Sequence, residues 1–344
     1  MFSEIGFITD IFARGALPAP KLYFYVVMSG VTAALYAYTF TRNPKFLPLI
    51  ILLQVGYSLL PLKNISVPLT PDEYYARMNL DAWGILITVI LGYIFLVIFI
   101  NKEGFGTLRL RTEIKLAKEM HDTLVPELNF KTGRYEVFGI ANPTDEVGGD
   151  LIDYFRGSES SMFYIADVSG HGVAAGLFMG MFKSAVHIQL NGGHSLASIL
   201  NESNKTLYSL KKKNMFLTCS MLKLNDDHTA EYSCAGHLPI LKLPCDGNNF
   251  EELLIKQIPI SVSEDFNFTT NKTTYQKGDL FIMLTDGITE VSKGKDSFGL
   301  DRVKQIILDN RDGELSRIHE KINEKLTTFG KQKDDQTILF IRCI

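Results

Sequence analysis

Four short stretches place an aspartate where an apolar run meets glycine or a second acid. They are Val147-Gly148-Gly149-Asp150, Ile165-Ala166-Asp167-Val168-Ser169-Gly170-His171-Gly172, Leu284-Thr285-Asp286-Gly287 and Asp334-Asp335-Gln336-Thr337. Any one of them alone reads as a turn or a helix cap. Together they carry chemistry. Carboxylates gathered at the ends of core strands repel one another unless a cation lies between them. Oxygen ligands without His/Cys spacing select Mg²⁺ or Mn²⁺ over zinc. Two such ions bridged by a carboxylate can activate water and support in-line displacement at phosphorus. The flanking glycines let backbone approach a ligand closely.

The elements that position these acids follow from hydrophobic pattern. Met162-Phe163-Tyr164-Ile165-Ala166 is a buried strand that delivers Asp167 to its end, and a small-residue helix begins near Val173. Further strands are expected at 135–140, 151–155, 215–224, 229–233, 239–243, 279–284 and 337–341. Helices are expected at 173–190, 196–210, 300–308 and 315–326. Strands in runs and helices in pairs indicate layered α+β architecture rather than a doubly wound sheet.

The first hundred residues have a different character. Apolar runs at 22–41, 46–62 and 83–100 predict three transmembrane helices, with Trp83 suited to an interface. Arg42 and Lys45 make the first loop basic, and Lys102, Arg109, Arg111, Lys115 and Lys118 follow the third run. The positive-inside rule then places the first loop and the C-terminal part in the cytoplasm and the N-terminus outside. Phe2, Ile5, Ile8 and Ile11-Phe12 have the spacing of a helix lying in the interface, and no cleavable signal pattern is evident. Over 101–134, a helical linker carries Leu110, Ile114, Ala117, His121 and Leu124 at coiled-coil spacing, and Pro126 ends it. The same pattern serves a single amphipathic helix packed on its own domain. The domain expectation is therefore 1–100 membrane region, 101–134 linker and 135–344 catalytic domain.

Composition narrows the partners. A formal charge of −3 provides no basic field for nucleic acid. Cys219, Cys234, Cys245 and Cys343 form no CxxC pair, and none has an Arg six residues on, which argues against zinc ligation, a disulfide framework and thiol-phosphatase chemistry.

The motif series VGGD, ADVSGHG, NMFLT, AGHLP, GDLFIMLTDGITE, FG with Arg302, and DDQT resembles the SpoIIE/RsbU branch of the metal-dependent (PPM, type 2C) serine/threonine protein phosphatases. The linker segment AKEMHDTLVP resembles the family too, and the likeness runs from about Arg111 onward. The resemblance implies an αββα sandwich and two Mn²⁺ or Mg²⁺ ions. It implies that Asp167 bridges the ions, that Asp286 and Asp334 complete one site, and that the Val168 carbonyl serves the other. Asp150 joins directly or through water, and Asp335 is the rival of Asp334. It also implies a phosphorylated protein substrate, such as a STAS-domain anti-sigma-factor antagonist in a bacterial partner-switching pathway, and a homodimer through the linker; the apolar runs and loop charges, which the resemblance does not cover, add an inner-membrane location with the catalytic domain in the cytoplasm. A catalytically inactive scaffold or another two-metal phosphoryl-transfer enzyme is the alternative. The chain departs from the family pattern twice. Ser169 stands where eukaryotic relatives have a proton-donating His, with His171 two residues on, and Ile260-Ser261-Val262 replaces the common Leu-Gly-Val. His237 of AGHLP is expected to be structural, with a polar partner in a turn.

Overall fold

The computed structural model describes residue 8 and residues 19–41, 44–58, 70–99, 105–294 and 296–344. The chain divides into two compact units, Met1–Arg109 and Leu110–Ile344.

In the first unit, helices α1 (Ala19–Thr41), α2 (Leu47–Ser58) and α3 (Pro71–Phe99) overlap the three apolar runs. The Thr39 and Thr32 hydroxyls of α1 bond back to the carbonyls of Leu35 and Met28, so neither is left unsatisfied on an apolar helix. Helix α3 begins well before Trp83. Thr70 and Glu73 form a reciprocal capping box, with the Thr70 N–H donating to Glu73 Oε2 at 2.9 Å and the Glu73 N–H to Thr70 Oγ1 at 3.4 Å. Pro71 takes the first helical position, so capping chemistry rather than hydropathy sets this start. Pro71–Phe95 is long and apolar enough to cross a membrane. Most of the interfacial segment and residues 59–62 of the second expected span lie outside the described residues.

The second unit is a four-layer α+β sandwich. After α4 (Phe105–Leu124), most of which belongs to it, come β1 (Leu128–Lys131), β2 (Tyr135–Asn142), β3 (Leu151–Arg156) and β4 (Ser160–Val168). A helix pair follows, α5 (Val173–Asn191) and α6 (Leu196–Leu210), and then β5 (Leu217–Asn225), β6 (Thr229–Ala235), β7 (Ile240–Leu243), β8 (Glu251–Leu253), β9 (Asn271–Thr274) and β10 (Leu280–Leu284). Last come α7 (Asp286–Thr289), a small hairpin β11 (Ser292–Lys293) and β12 (Asp296–Ser297), the pair α8 (Gly299–Asp309) and α9 (Leu315–Phe329), and β13 (Gln336–Cys343). One sheet has the order β1-β2-β13-β10-β7-β8 and the other β3-β4-β5-β6-β9.

Strand periodicity builds the layers. Along β4, Met162, Tyr164, Ala166 and Val168 join the core under α5 and α6, while Phe163 and Ile165 join the core between the sheets. Along β10, Phe281 and Met283 face the inter-sheet core, while Leu280, Ile282 and Leu284 pack towards α8 and α9. Both faces of these strands are covered, which is why they read as continuous apolar runs instead of alternating ones. Strands β1, β8, β9, β11 and β12 are too short or too polar to give that signal.

Candidate metal centre

Register brings the acids together. Strands β3 and β4 pair antiparallel with Leu151 opposite Ala166, so Asp150 and Asp167 emerge at one end of the smaller sheet. Strands β10 and β13 pair with Leu284 opposite Ile338, which sets Thr285 level with Thr337 and places Asp286 and Asp335 just beyond. Hydrogen bonds join the two sheets at this end. Asp150 is buried, and its Oδ2 accepts from the Thr337 hydroxyl at 2.6 Å and the Thr285 hydroxyl at 2.8 Å. Sequence reasoning gave these threonines no role, although each lies inside one of the aspartate motifs.

The adjacent acids Asp334 and Asp335 have different surroundings. Asp335 is buried, and both its oxygens accept backbone N–H groups, Oδ1 from Thr144 and Oδ2 from Gly149, each at 2.7 Å. It clamps the Val147–Asp150 loop. Asp334 is exposed, and its Oδ1 caps the Asp335 N–H at 2.9 Å. Two glycines permit this crowding. A Cβ on Gly287 would stand 2.0 Å from the Asp335 carbonyl oxygen, and one on Gly149 would stand 3.2 Å from the Val168 carbonyl oxygen.

The acids act on one another electrostatically. Burial, followed by the charges of Asp286, Asp334 and Asp335, pushes the Asp167 carboxyl up to about 7. Asp286 is raised by burial and then by Glu290 and Asp334, and Asp150 lies well above the carboxylate range through burial and then Asp167. This donor set is the chemistry of a divalent-cation site, since a cation would remove the repulsion that keeps protons on these groups. Among the described residues, no three His, Cys, Asp or Glu side chains stand together as a ready-made cage. The carboxylates sense one another's charge without converging as ligands. That arrangement suits Mg²⁺ or Mn²⁺, which retain several waters and take only one or two carboxylates each.

The loop after β4 has its own supports. Ser169 pairs with Phe216 at the mouth of β5: its N–H donates to the Phe216 carbonyl and its Oγ accepts the Phe216 N–H, both at 3.0 Å. His171 is exposed, with Nδ1 2.8 Å from Asp145 Oδ2. His237 lies with Nδ1 2.8 Å from the hydroxyl of Thr218, the residue directly across β5 from Asp167. The AGHLP and NMFLT motifs thus meet behind the bridging candidate, and His237 has the polar partner expected of it. Ser261, the second departure from the family pattern, has φ 67°, a conformation natural to glycine, and its buried Oγ has no hydrogen-bond partner. Asp153 was not anticipated either. It is a buried acid in an apolar strand, and its Oδ2 meets the Tyr164 hydroxyl and His187 Nε2 at 2.6 Å and Lys183 Nζ at 3.2 Å.

Residues 157–344, just over half of the chain, match the family described as Stage II sporulation protein E (SpoIIE). The chain is 26% identical over 229 residues to phosphoserine phosphatase RsbU of Bacillus subtilis (strain 168), covering 65% of each. It is 25% identical over 234 residues to phosphoserine phosphatase RsbP of the same organism, covering 66% of this chain and 55% of that one. It therefore spans less than two thirds of the length of these relatives. Among solved structures, the SiaA-PP2C domain of Pseudomonas aeruginosa superposes with a TM-score of 0.60 at 19% identity, covering 70% of this chain and 99% of that domain. The RsbU and RsbW domains of a Mycobacterium tuberculosis protein give 0.53 at 20% identity, covering 64% and 61%. The paired sheets, the flanking helix pairs and the acid-bearing strand ends have the PPM (PP2C) phosphatase architecture, and the chain belongs to the SpoIIE family.

Proposed function

We propose that the chain is a membrane-anchored, metal-dependent protein phosphatase that hydrolyses phosphoserine or phosphothreonine on a regulatory protein. The observation that carries this reading is the placement of Asp150, Asp167, Asp286 and Asp334 at one end of the two sheets, where burial and then neighbouring carboxylates raise the pKa of Asp150, Asp167 and Asp286. The names of the curated relatives, both phosphoserine phosphatases, support it.

In this reading Asp167, Asp286, Asp334 and the Val168 carbonyl hold two Mn²⁺ or Mg²⁺ ions, and Asp150 contributes directly or through water. The two backbone N–H groups that the Asp335 oxygens accept favour Asp334 over Asp335 as the direct ligand. Bound ions would neutralise the carboxylates, lower the pKa of water and stabilise charge on the phosphoryl oxygens. The protein's own task is positional. Thr285 and Thr337 fix Asp150, Asp335 fixes its loop, and the Thr218–His237 pair supports the strand opposite Asp167. Hydrolysis forms a bond from a water oxygen to phosphorus, breaks the bond to the seryl oxygen and delivers a proton to that oxygen. His171, which Asp145 holds, Ser169 and water are the candidate sources of that proton. Loss of activity in His171→Ala confined to substrates with poor leaving groups assigns the proton to His171.

The deciding experiment is phosphate release from a phosphoserine peptide with Mn²⁺, Mg²⁺ or excess EDTA. Full activity in EDTA overturns the mechanism. By resemblance, the natural substrate is a STAS-domain anti-sigma-factor antagonist, α4 pairs two copies of the chain, and the apolar helices of the first unit span a bacterial inner membrane. Keeping every candidate carboxylate disfavours the inactive-scaffold alternative.

A further inference from the structure

The chain leaving α6 reaches the metal centre through Lys211-Lys212-Lys213-Asn214-Met215-Phe216. This turn is tightly fastened. The Lys211 N–H donates to the Leu207 carbonyl at 2.9 Å, Lys211 Nζ bonds the Ser261 carbonyl and lies 4.7 Å from the centre of the Tyr208 ring, and Asn214 takes a left-handed φ of 70°. Beyond it, Leu217 and Ile260 exchange backbone bonds at 3.1 and 2.8 Å. The outward surface is left open nonetheless. Leu210, Phe216 and Val262 are 59%, 38% and 48% exposed, and Lys212 and Lys213 are exposed beside them. The neighbouring acids Glu264 and Asp265 are exposed as well, on a segment whose backbone is tied to α6, and Lys211, Lys212 and Lys213 outnumber them. Asn204 Nδ2 donates to the Ser263 and Glu264 carbonyls at 2.8 and 3.0 Å, two helical turns before Lys211.

The position of this patch gives it meaning. Phe216 lies two residues from Thr218, the cross-strand partner of Asp167, which is roughly 7 Å along a strand. Lys213 lies five residues away, so it is within roughly 17 Å of the same point. With its carboxylates neutralised by bound ions, the site gives a negatively charged protein no long-range attraction, and the chain's net charge of −3 gives none either. Two free-standing lysines on a rigid turn at its rim supply the attraction that the site itself lacks, and an exposed Phe–Val pair supplies apolar contact.

We propose that this turn is the docking surface for the phosphorylated protein and selects an acidic segment, with an apolar side chain, three to five residues from the phosphoserine. The inference rests on the phosphatase reading, and the test separates the two. The full chain in uncharged detergent is titrated with labelled peptides in which a non-hydrolysable phosphonate replaces the phosphoserine phosphate. One peptide carries Glu and Leu at those positions, a second carries Lys and Ser, and a third carries the Glu–Leu segment beyond a long Gly–Ser spacer. The first is expected to bind about tenfold tighter than the others, more so at low salt. The double variant Lys212→Glu/Lys213→Glu should lose that preference while keeping its melting temperature and its turnover of a small aryl phosphate. Phe216→Ser should weaken the first peptide only. Equal affinities in the wild type, or a preference that survives the double variant, overturn the proposal. Loss of self-association in the double variant with unchanged peptide binding also overturns it, and assigns the patch to a contact between copies. If the preference is present but phosphoserine peptides are not hydrolysed with any divalent metal, the docking surface stands and the phosphatase reading fails.

Discussion

Asp334 and Asp335 occupy consecutive positions, and substitution should separate what each does. Asp334→Asn leaves every backbone clamp in place, so we expect a loss of metal-dependent phosphate release of at least about a hundredfold with a change in stability under about 0.5 kcal/mol. Asp335→Asn removes a charged acceptor from two buried N–H groups and should cost about 2 kcal/mol in denaturant unfolding. Asp167→Asn gives a third pattern. Its neighbours already favour the neutral form of this carboxyl, so the variant should be at least as stable as wild type in EDTA. It should nevertheless lose both turnover and the stabilisation that Mn²⁺ gives the wild type. A lower melting temperature in EDTA would contradict that account. Ser261→Gly relieves a left-handed serine and removes an unsatisfied hydroxyl, and is expected to raise stability by about 1 kcal/mol, or a few degrees in Tm. His237 makes an acid-limb prediction. The residue is half-buried, but Nδ1 is bonded to Thr218 and Nε2 is shielded, and desolvation lowers its pKa to about 4. Below pH 6.5 an unfolded chain protonates this ring while the folded one refuses the proton until about pH 4, so stability falls as pH drops through that window. The stability advantage of wild type over His237→Gln should therefore shrink by up to about 3 kcal/mol between pH 7 and pH 4.

At the level of elements, Gly287 shows how tightly α7 is drawn against the start of β13. Its virtual Cβ sits 2.0 Å from a backbone oxygen that no rotamer can move, so Gly287→Ala should displace Asp286 from Asp335 and abolish turnover. The reading is wrong if the alanine variant retains wild-type kcat and melting temperature. The long elements were legible from sequence because both faces of β4, β10 and β13 are buried and their apolar runs are unbroken. The aspartate motifs were legible because glycine, or in Asp334-Asp335 a second acid, marks each one. What escaped is the set of groups whose role depends on cross-strand register. Thr285 and Thr337 are unremarkable until β10 and β13 set them beside Asp150, and Asp153 hides in an apolar run until His187 and Lys183 reach it from α5. The capping box of α3 was likewise written in Thr70 and Glu73, but it lay upstream of the hydropathy signal.

For the whole molecule, the loop charges make a topological prediction. A tag inserted within residues 63–69 should be reachable from outside intact cells, and a reporter within the second unit should be cytoplasmic. Both on one side would mean that α3 does not cross the membrane. Strand order has a consequence of another kind, in time rather than space. Strand β13 follows every other strand in the chain, yet it sits at the centre of its sheet between β2 and β10. Tyr135 pairs with Cys343, so the central contacts join segments some two hundred residues apart, which predicts slow refolding after dilution from denaturant. On the ribosome, roughly 10–40 s separate completion of β2 from arrival of β13 at ordinary elongation rates. Throughout that interval β2 waits with an open edge, joined by β10 only towards its end, a state that invites chaperones or misassociation. Asp334 arrives just ahead of β13, so on the proposed reading the nascent domain stays chemically silent until the strand that completes its sheet has been made.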